Sequence, residues 1–304
     1  MELAGFLARR AAATLLLMII VSTGAIALGR VAADQVLAEA AFRSASETEK
    51  AELRASLGLD RSAGGQVVFW LGRLARLDLG ESRTYRRPVI DIVAENAIRT
   101  ARLAGLAILL GTLIGLPLGV LVGARPRGLL SLVVTPLSIA LVSCPPVIGA
   151  LALLVIAATT GWLSLEPGHV AVPMIALALP LAAKVERLQS QATSEALAAP
   201  DRLAAAARGL PPARLLWVHS LRQSLRPVLG VYGVIVGSLF SGAVAVEAVT
   251  AWPGLGLLLM HALTSSDLFL VAGCVLVGAL FIAIGNLLAD AGRALADPRV
   301  RLAS

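Results

Sequence analysis

GLLSLVVTPLSIALVSCPPVIGALALLVIAATTGWLSL, residues 128–165, is 38 residues long and contains no charged side chain. A membrane-crossing helix needs about 20 apolar residues. The run is therefore too long for one straight span and tight for two. It reads either as one long or kinked helix plus a loop, or as a close two-helix hairpin. Cys144-Pro145-Pro146 near its centre breaks or kinks a helix, because proline has no amide donor and collides with the preceding turn. Five shorter uncharged runs surround it: 11–29, 103–124, 167–183, 227–246 and 268–289. Each matches one span.

Charge decides between the two readings. With one span in 128–165, Arg9 and Arg10, Arg125 and Arg127, the basic segment from Lys184 to Arg226, and Arg293, Arg299 and Arg301 share one side. The short connections 159–170 and 247–267 on the other side contain neither Lys nor Arg. Basic residues are retained in cytoplasmic loops, so a hairpin would place the segment from Lys184 to Arg226 on the wrong side. The expectation is an all-α membrane protein with about six transmembrane helices and both termini cytoplasmic. A cytoplasmic loop, 189–226, lies between spans four and five.

Composition agrees. Of 304 residues, 58% are hydrophobic and 15% charged, and mean hydropathy is +0.84. Soluble domains carry about 25% charged residues, so lipid is the natural solvent for this chain. Leu, Ala, Val and Gly dominate, which suits closely packed membrane helices. A net charge of +7 suggests nucleic acid in a soluble protein. Here the basic residues sit between apolar runs and set orientation, and no nucleic-acid partner is expected. Cys144 and Cys274 lie far apart in apolar runs, without metal or redox spacing.

Three segments follow: 1–29 with the first anchor, 30–102 as an extracytoplasmic loop, and 103–304 as a five-helix core. The anchor also resembles a signal peptide, with Ala25-Ile26-Ala27 as a small-residue cleavage site. Its uncharged run is long for that purpose, which favours retention. The loop carries both charge signs, and loops longer than about 60 residues cross largely regardless of charge. Within it Val67, Leu71, Leu74 and Leu77 recur at helical spacing. They suit an amphipathic helix on the membrane or a helix within a small outer cap.

Catalytic motifs are missing. Neither Lys50 nor Lys184 lies in Gly-Lys-[Ser/Thr], so no phosphate-binding loop is present. There is no Gly-x-Ser-x-Gly elbow and no His-Glu-x-x-His pair. His169, His219 and His261 occupy different segments. Lys184, Glu186, Glu247 and Asp290 are expected at helix ends. Ion-driven pumps place carboxylates deep in the bundle, which weakens that alternative. The chain is not expected to be an enzyme, nor to hold a metal or cofactor.

The loop has internal organisation: DRLAAAARGLPPARLLWVHSLRQSLRP, residues 201–227. Alanines favour helix. Gly209 stops it, and Pro211-Pro212 prevents continuation. A second helix is expected from Ala213 to Pro227, with Leu216, His219, Ser220 and Gln223 on one face. Arg214, Arg222 and Arg226 point to lipid headgroups or partner acids.

The alanine run, Gly209, and His219 ten positions later resemble the coupling loop of binding-protein-dependent ABC importer permeases. The likeness is closest to the dipeptide/oligopeptide/nickel branch, first-subunit type. Leu57-Gly-Leu-Asp-Arg61, Trp70-Leu-Gly, Leu77-Asp-Leu-Gly80 and Arg87-Pro-Val-Ile-Asp91 are similar to that branch's outer segment. Glu247-Ala-Val-Thr-Ala-Trp-Pro-Gly-Leu-Gly256 resembles its signature after span five. Asn286-Leu-Leu-Ala-Asp290 and Asp297-Pro-Arg-Val-Arg-Leu302 resemble its C-terminus. Leu203 departs from a usual charged residue, and Arg30-Val-Ala-Ala-Asp34 lacks a usual Pro-Gly-Asp-Pro.

The resemblance implies a permease for peptides or related small solutes, nickel included. It implies a second permease subunit, as a heterodimer, two ABC ATPases that bind ATP and Mg, and an extracytoplasmic solute-binding protein. It implies that Ala204, Ala205, Ala206, Ala207, Arg208, Gly209 and Leu210 form the surface that docks on the ATPase, with Arg208 and Arg214 as flanking charge. Glu247, Trp252, Pro253 and Gly254 would shape an outer gate or a binding-protein docking surface, or make an ordinary helix-end turn. The rival readings are an ion-gradient-driven transporter or channel, and a membrane scaffold or enzyme without transport.

Overall fold

A computed structural model describes residues 78–164, 166, 168–200 and 209–296, together with Gly24, Gly65, Val68, Gly72, Arg73 and Arg76. The first span apart from Gly24, the stripe residues Val67, Leu71, Leu74 and Leu77, and Ala204 to Arg208 lie outside these residues. Every named element among the described residues is helical. They are α1 (Val89–Ala124), α2 (Leu129–Ser143), α3 (Pro146–Thr160), α4 (Ala171–Ala198), α5 (Leu221–Val249), α6 (Leu255–Thr264) and α7 (Leu268–Ala296). A turn of helix, Pro212–Arg214, and a π-helical segment, Leu215–Ser220, lead directly into α5.

Among the described residues three helical stretches are long and apolar enough to cross a membrane: Val89–Ala124, Val231–Val249 and Leu268–Leu287. Helices α2 and α3 would together add a fourth. They are bent by 109° where Cys144 and Pro145 leave helical geometry. The expected kink is thus a full break. Each half has 15 residues, or about 22 Å, and falls short of a hydrocarbon core of about 30 Å. Helix α4 is absent from the set because Lys184, Glu186 and Arg187 interrupt its apolar face.

Several boundaries differ from expectation. Helix α1 starts at Val89, so 89–102, expected in the outer loop, is helical. Asp91 in its first turn complements the positive helix end. Helix α4 carries Lys184 and Glu186 mid-helix, although a helix end was expected there. The connection 247–267 contains α6, whose sequence LGLLLMHALT is apolar. Pro227 lies inside α5 and does not end it.

The chain forms two compact units. Among the described residues the first holds Arg99–Leu257 and 281–296. Its core joins Leu103 and Ala107 of α1, Ala150 of α3, Leu177, Leu181 and Val185 of α4, and Ile235, Leu239 and Val246 of α5. Helix α4 is central: it packs on α2, α3 and α5. It also meets α1 backbone to backbone. Gly111, Gly115, Gly119 and Gly123 recur every four residues on one side of α1. A Cβ at Gly119 would lie 2.6 Å from the Glu186 carbonyl oxygen, and Cβ atoms at Gly115 and Gly123 would strike the carbonyls of Ala182 and Ser190. Lipid cannot drive helices together as water does, so close backbone contact supplies the attraction. Helices α2 and α3 turn Leu132, Val133, Leu151 and Val155 outward, as a lipid-facing surface requires.

The second unit holds residues 78–98 and Leu258–Leu280. Asp267 organises it. Its Oδ1 accepts the Leu270 amide at 3.2 Å and so caps α7. Its Oδ2 accepts the Ser82 hydroxyl at 2.7 Å and the Thr84 amide at 3.2 Å. Gly80 has φ +85°, and a Cβ there would lie 2.6 Å from the Phe269 ring. Arg73 bonds Asp78 at 2.9 Å and holds its carboxyl below the usual range.

Gly119→Ala and Gly105→Ala make the same chemical change on one helix. Nothing lies within 4 Å of a Cβ at Gly105, so that variant gains about 0.5–1 kcal/mol from helix propensity. At Gly119 the methyl group forces α1 from α4 and costs about 1–3 kcal/mol. Thermal unfolding of the purified chain in detergent should show the two midpoints moving in opposite directions.

Candidate functional site

Two regions carry the residues singled out from sequence. The first is the loop between α4 and α5. Of its proposed docking residues, Gly209, Leu210 and Arg214 are described. Gly209 has φ +80°, the left-handed conformation that glycine adopts without strain and that commonly ends a helix. Nothing lies within 4 Å of a Cβ there, so the turn faces open space. Leu210 is half-buried and Arg214 exposed. Pro211 is extended, and Pro212 begins the next helix, where a missing amide costs nothing.

The buried face of that helix differs from expectation. Leu215, Ser220, Ser224 and Val228 are buried, whereas Leu216 is half-buried and Gln223 exposed. The spacing is five residues and then four. The π-helical segment Leu215–Ser220 inserts one extra residue into the turn, which rotates the stripe away from the α-helical prediction. Trp217 and Val218 are left exposed.

The rotation completes a polar contact that the sequence did not single out. Gln189 of α4 donates from Nε2 to Ser224 Oγ at 2.7 Å and to Thr193 Oγ1 at 2.9 Å. All three side chains are buried. They tie together the two helices that the loop connects. The spacing of Gln189 and Thr193 was visible, but Ser224 joins them only through the π-helical offset.

The second region is the turn after α5. Glu247 is fully buried. Its Oε1 accepts the Thr100 hydroxyl at 2.7 Å, and its Oε2 accepts the Gly256 amide at 2.6 Å. Thr100 Oγ1 in turn accepts the Leu255 amide at 2.9 Å. Leu255 and Gly256 begin α6, where the first amides have no partner within the helix. Glu247 and Thr100 supply those partners from α5 and α1. Trp252 is buried in the core, and its amide donates to the Glu247 carbonyl at 3.0 Å. A Cβ at Gly254 would lie 2.5 Å from the Glu247 carboxylate. Glu247, Trp252, Pro253 and Gly254 therefore form one clasp that fixes where α6 begins. Its members are buried or half-buried within the chain. Among the described residues no group of three metal-ligating side chains converges.

A helical membrane bundle with a glycine turn beside a basic helix has close parallels. Residues 115–302 match the family model for the binding-protein-dependent transport system inner membrane component, which is more than half of the chain.

The chain belongs to that family.

It is a multi-pass permease subunit of the ABC importer type. The di/tripeptide transport system permease protein DppB of Pseudomonas aeruginosa is 33% identical over 284 residues, covering 83% of this chain and 84% of the relative. The dipeptide transport system permease protein DppB of Escherichia coli K12 is 29% identical, covering 88% of this chain and 90% of the relative. The inward-facing MetNI methionine ABC transporter has a chain that superposes with a TM-score of 0.55 at 20% identity. It covers 67% of this permease and 94% of that chain, a likeness of fold.

Glu247→Leu leaves the Gly256 amide and the Thr100 hydroxyl buried without an acceptor. Each orphaned donor costs about 1–3 kcal/mol. Glu247→Gln keeps one acceptor oxygen and should fall between wild type and Glu247→Leu. The checks are the thermal midpoint of the purified permease and protease cutting within residues 250–257, which should rise in the same order.

Proposed function

We propose that the permease imports peptides and related small solutes, as the membrane half of an ATP-driven transporter. It crosses the inner membrane six times with both termini in the cytoplasm. A second, different permease subunit completes the pathway. Two ABC ATPases, binding ATP and Mg, dock on the loop between α4 and α5, and an extracytoplasmic binding protein delivers solute. The observation that carries the solute class is the match along most of the chain to relatives named as di/tripeptide and dipeptide permeases.

Residues Ala204 to Leu210 make the docking surface, with Arg208 and Arg214 as charged flanks. Support comes from the exposed left-handed turn at Gly209 and the rigid start that Pro211 and Pro212 give the following helix. A force on this turn enters α5 directly through the π-helical segment. It reaches α4 through Gln189 and Ser224. At the far end of α5 the Glu247 clasp joins the same helix to α1 and α6. Glu247, Trp252, Pro253 and Gly254 thus shape the outer gate from within and do not touch the binding protein themselves.

The test is reconstitution of the permease with its partners, measuring solute-stimulated ATPase and uptake across a panel of peptides and nickel chelates. Peptides should stimulate both. Gly209→Val forces a branched side chain into φ +80° and should leave ATP hydrolysis running while uptake falls. Wild-type uptake in that variant would refute the docking assignment. Uptake that survives ATP depletion but collapses with a protonophore would replace the importer reading with a gradient-driven one.

A further inference from the structure

The helix that follows the Gly209 turn holds one residue too many for its buried stripe. The buried positions are Leu215, Ser220, Ser224 and Val228, spaced five and then four apart. The extra residue sits within Leu215–Ser220, where the Leu221 amide donates to the Leu216 carbonyl, five residues back. An α-helix bonds four residues back. A π-helical turn of this kind is rare and is found mostly at functional sites.

Two features let register change at this turn. The first is in the sequence: positions 215 and 216 are both leucine. Leu215 is 4% exposed and Leu216 is half-buried. Were the extra residue absorbed into an ordinary α turn, the stripe would run Leu216, Ser220, Ser224 and Val228, four residues apart throughout. The same side chain then fills the same place, so neither register buries a misfit. The second feature is unequal anchorage. On the C-terminal side Ser220 and Ser224 are buried, and Ser224 is bonded to Gln189 of α4 at 2.7 Å. On the N-terminal side Pro211, Pro212, Ala213 and Arg214 are exposed, and among residues 209–218 Leu215 alone is buried. A Cβ at Gly209 meets nothing within 4 Å.

We propose that Leu215–Ser220 is a register switch, in which closure of the ATPases on the loop converts the π-helical turn to α-helix and Leu216 replaces Leu215 on the buried face. The inference rests on the reading of this loop as the ATPase dock and deepens it. The segment packs on α4, so the exchange takes place where the loop meets the bundle. One residue of register is about 100° of rotation in a helix of 3.6 residues per turn. The Gly209 turn and Arg214 swing through that angle, while α5 beyond Ser220 keeps its bond to α4. Trp217, exposed in this structure, moves to the half-buried position that Leu216 leaves. A switch needs two packings of similar energy. The leucine pair supplies them, and the ATPase supplies the bias.

The experiment uses the complete transporter, comprising this permease, its partner permease, ATPases and binding protein. The permease carries Leu215→Cys or Leu216→Cys, after Cys144→Ala and Cys274→Ala remove the native thiols. Labelling by N-ethylmaleimide is timed with and without ATP and vanadate. Without nucleotide Leu216→Cys should label faster than Leu215→Cys. In the trapped state the order should reverse, each rate changing at least about tenfold as the register population inverts. Rates that stay fixed, or that rise together as in a segment peeling from α4, overturn the switch and leave the importer reading intact. Leu216→Gln buries an amide only in the α register. It should lower uptake with basal ATPase unchanged, whereas Leu216→Met should keep uptake. Wild-type uptake in Leu216→Gln overturns the switch, and this comparison decides the matter should the cysteine variants fail to assemble. A wild-type complex without ATP-dependent peptide uptake overturns the importer reading itself.

Discussion

The contact between α1 and α4 holds the first unit together. Four glycines, at 111, 115, 119 and 123, bring one helix backbone against the carbonyls of another. In water, burying large side chains would serve this purpose. In lipid, tails are as apolar as leucine, and attraction has to come from close packing and weak polar contacts. Close approach frees the other faces of α4 to meet α2, α3 and α5. It also anchors the ionisable segment from Lys184 to Arg187, since the Glu186 carbonyl is itself part of the contact.

Two buried carboxylates show how the same chemistry serves different ends. Both oxygens of Glu247 have donors, from Thr100 and from the first turn of α6. Its neighbours are the backbone amides that a helix start leaves unpaired, and the result is a fixed joint. Glu186 is buried as well, but its Oε2 is without a donor. Satisfaction marks the first as architecture.

The loop between α4 and α5 shows where periodicity succeeds and where it misleads. Gly209, Pro211 and Pro212 announced a turn and a restart from local stereochemistry, and the described residues follow them. The buried face of the restarted helix did not follow, because one π-helical turn shifts the stripe from Leu216 and Gln223 to Leu215, Ser220 and Ser224. No residue type announces such a turn, since the inserted residue is selected by what α4 presents across the interface. Pro227 misled in a similar way: proline disfavours a helix interior, but the surrounding bundle carried α5 through it. Glu247 and Gly256 were read as a motif, while their mutual bond required Thr100, 147 residues earlier, to be brought beside them.

Apolar runs of about 20 residues, the distribution of Arg between them and the punctuation of Gly and Pro were enough to establish a helical membrane protein with a basic loop that turns at Gly209. These are properties of a chain against its solvent and of one residue against its neighbours, and they need no knowledge of the fold. Which charges are buried, which helices touch through glycine and which carboxylate lacks a partner were settled by packing. Such features arise when segments distant in sequence compete for the same space and the same hydrogen bonds, and a linear pattern holds no measure of that competition. Gly111, Gly115, Gly119 and Gly123 stand on the border: their four-residue repeat is plain in the sequence, but only the folded bundle assigns α4 as their partner.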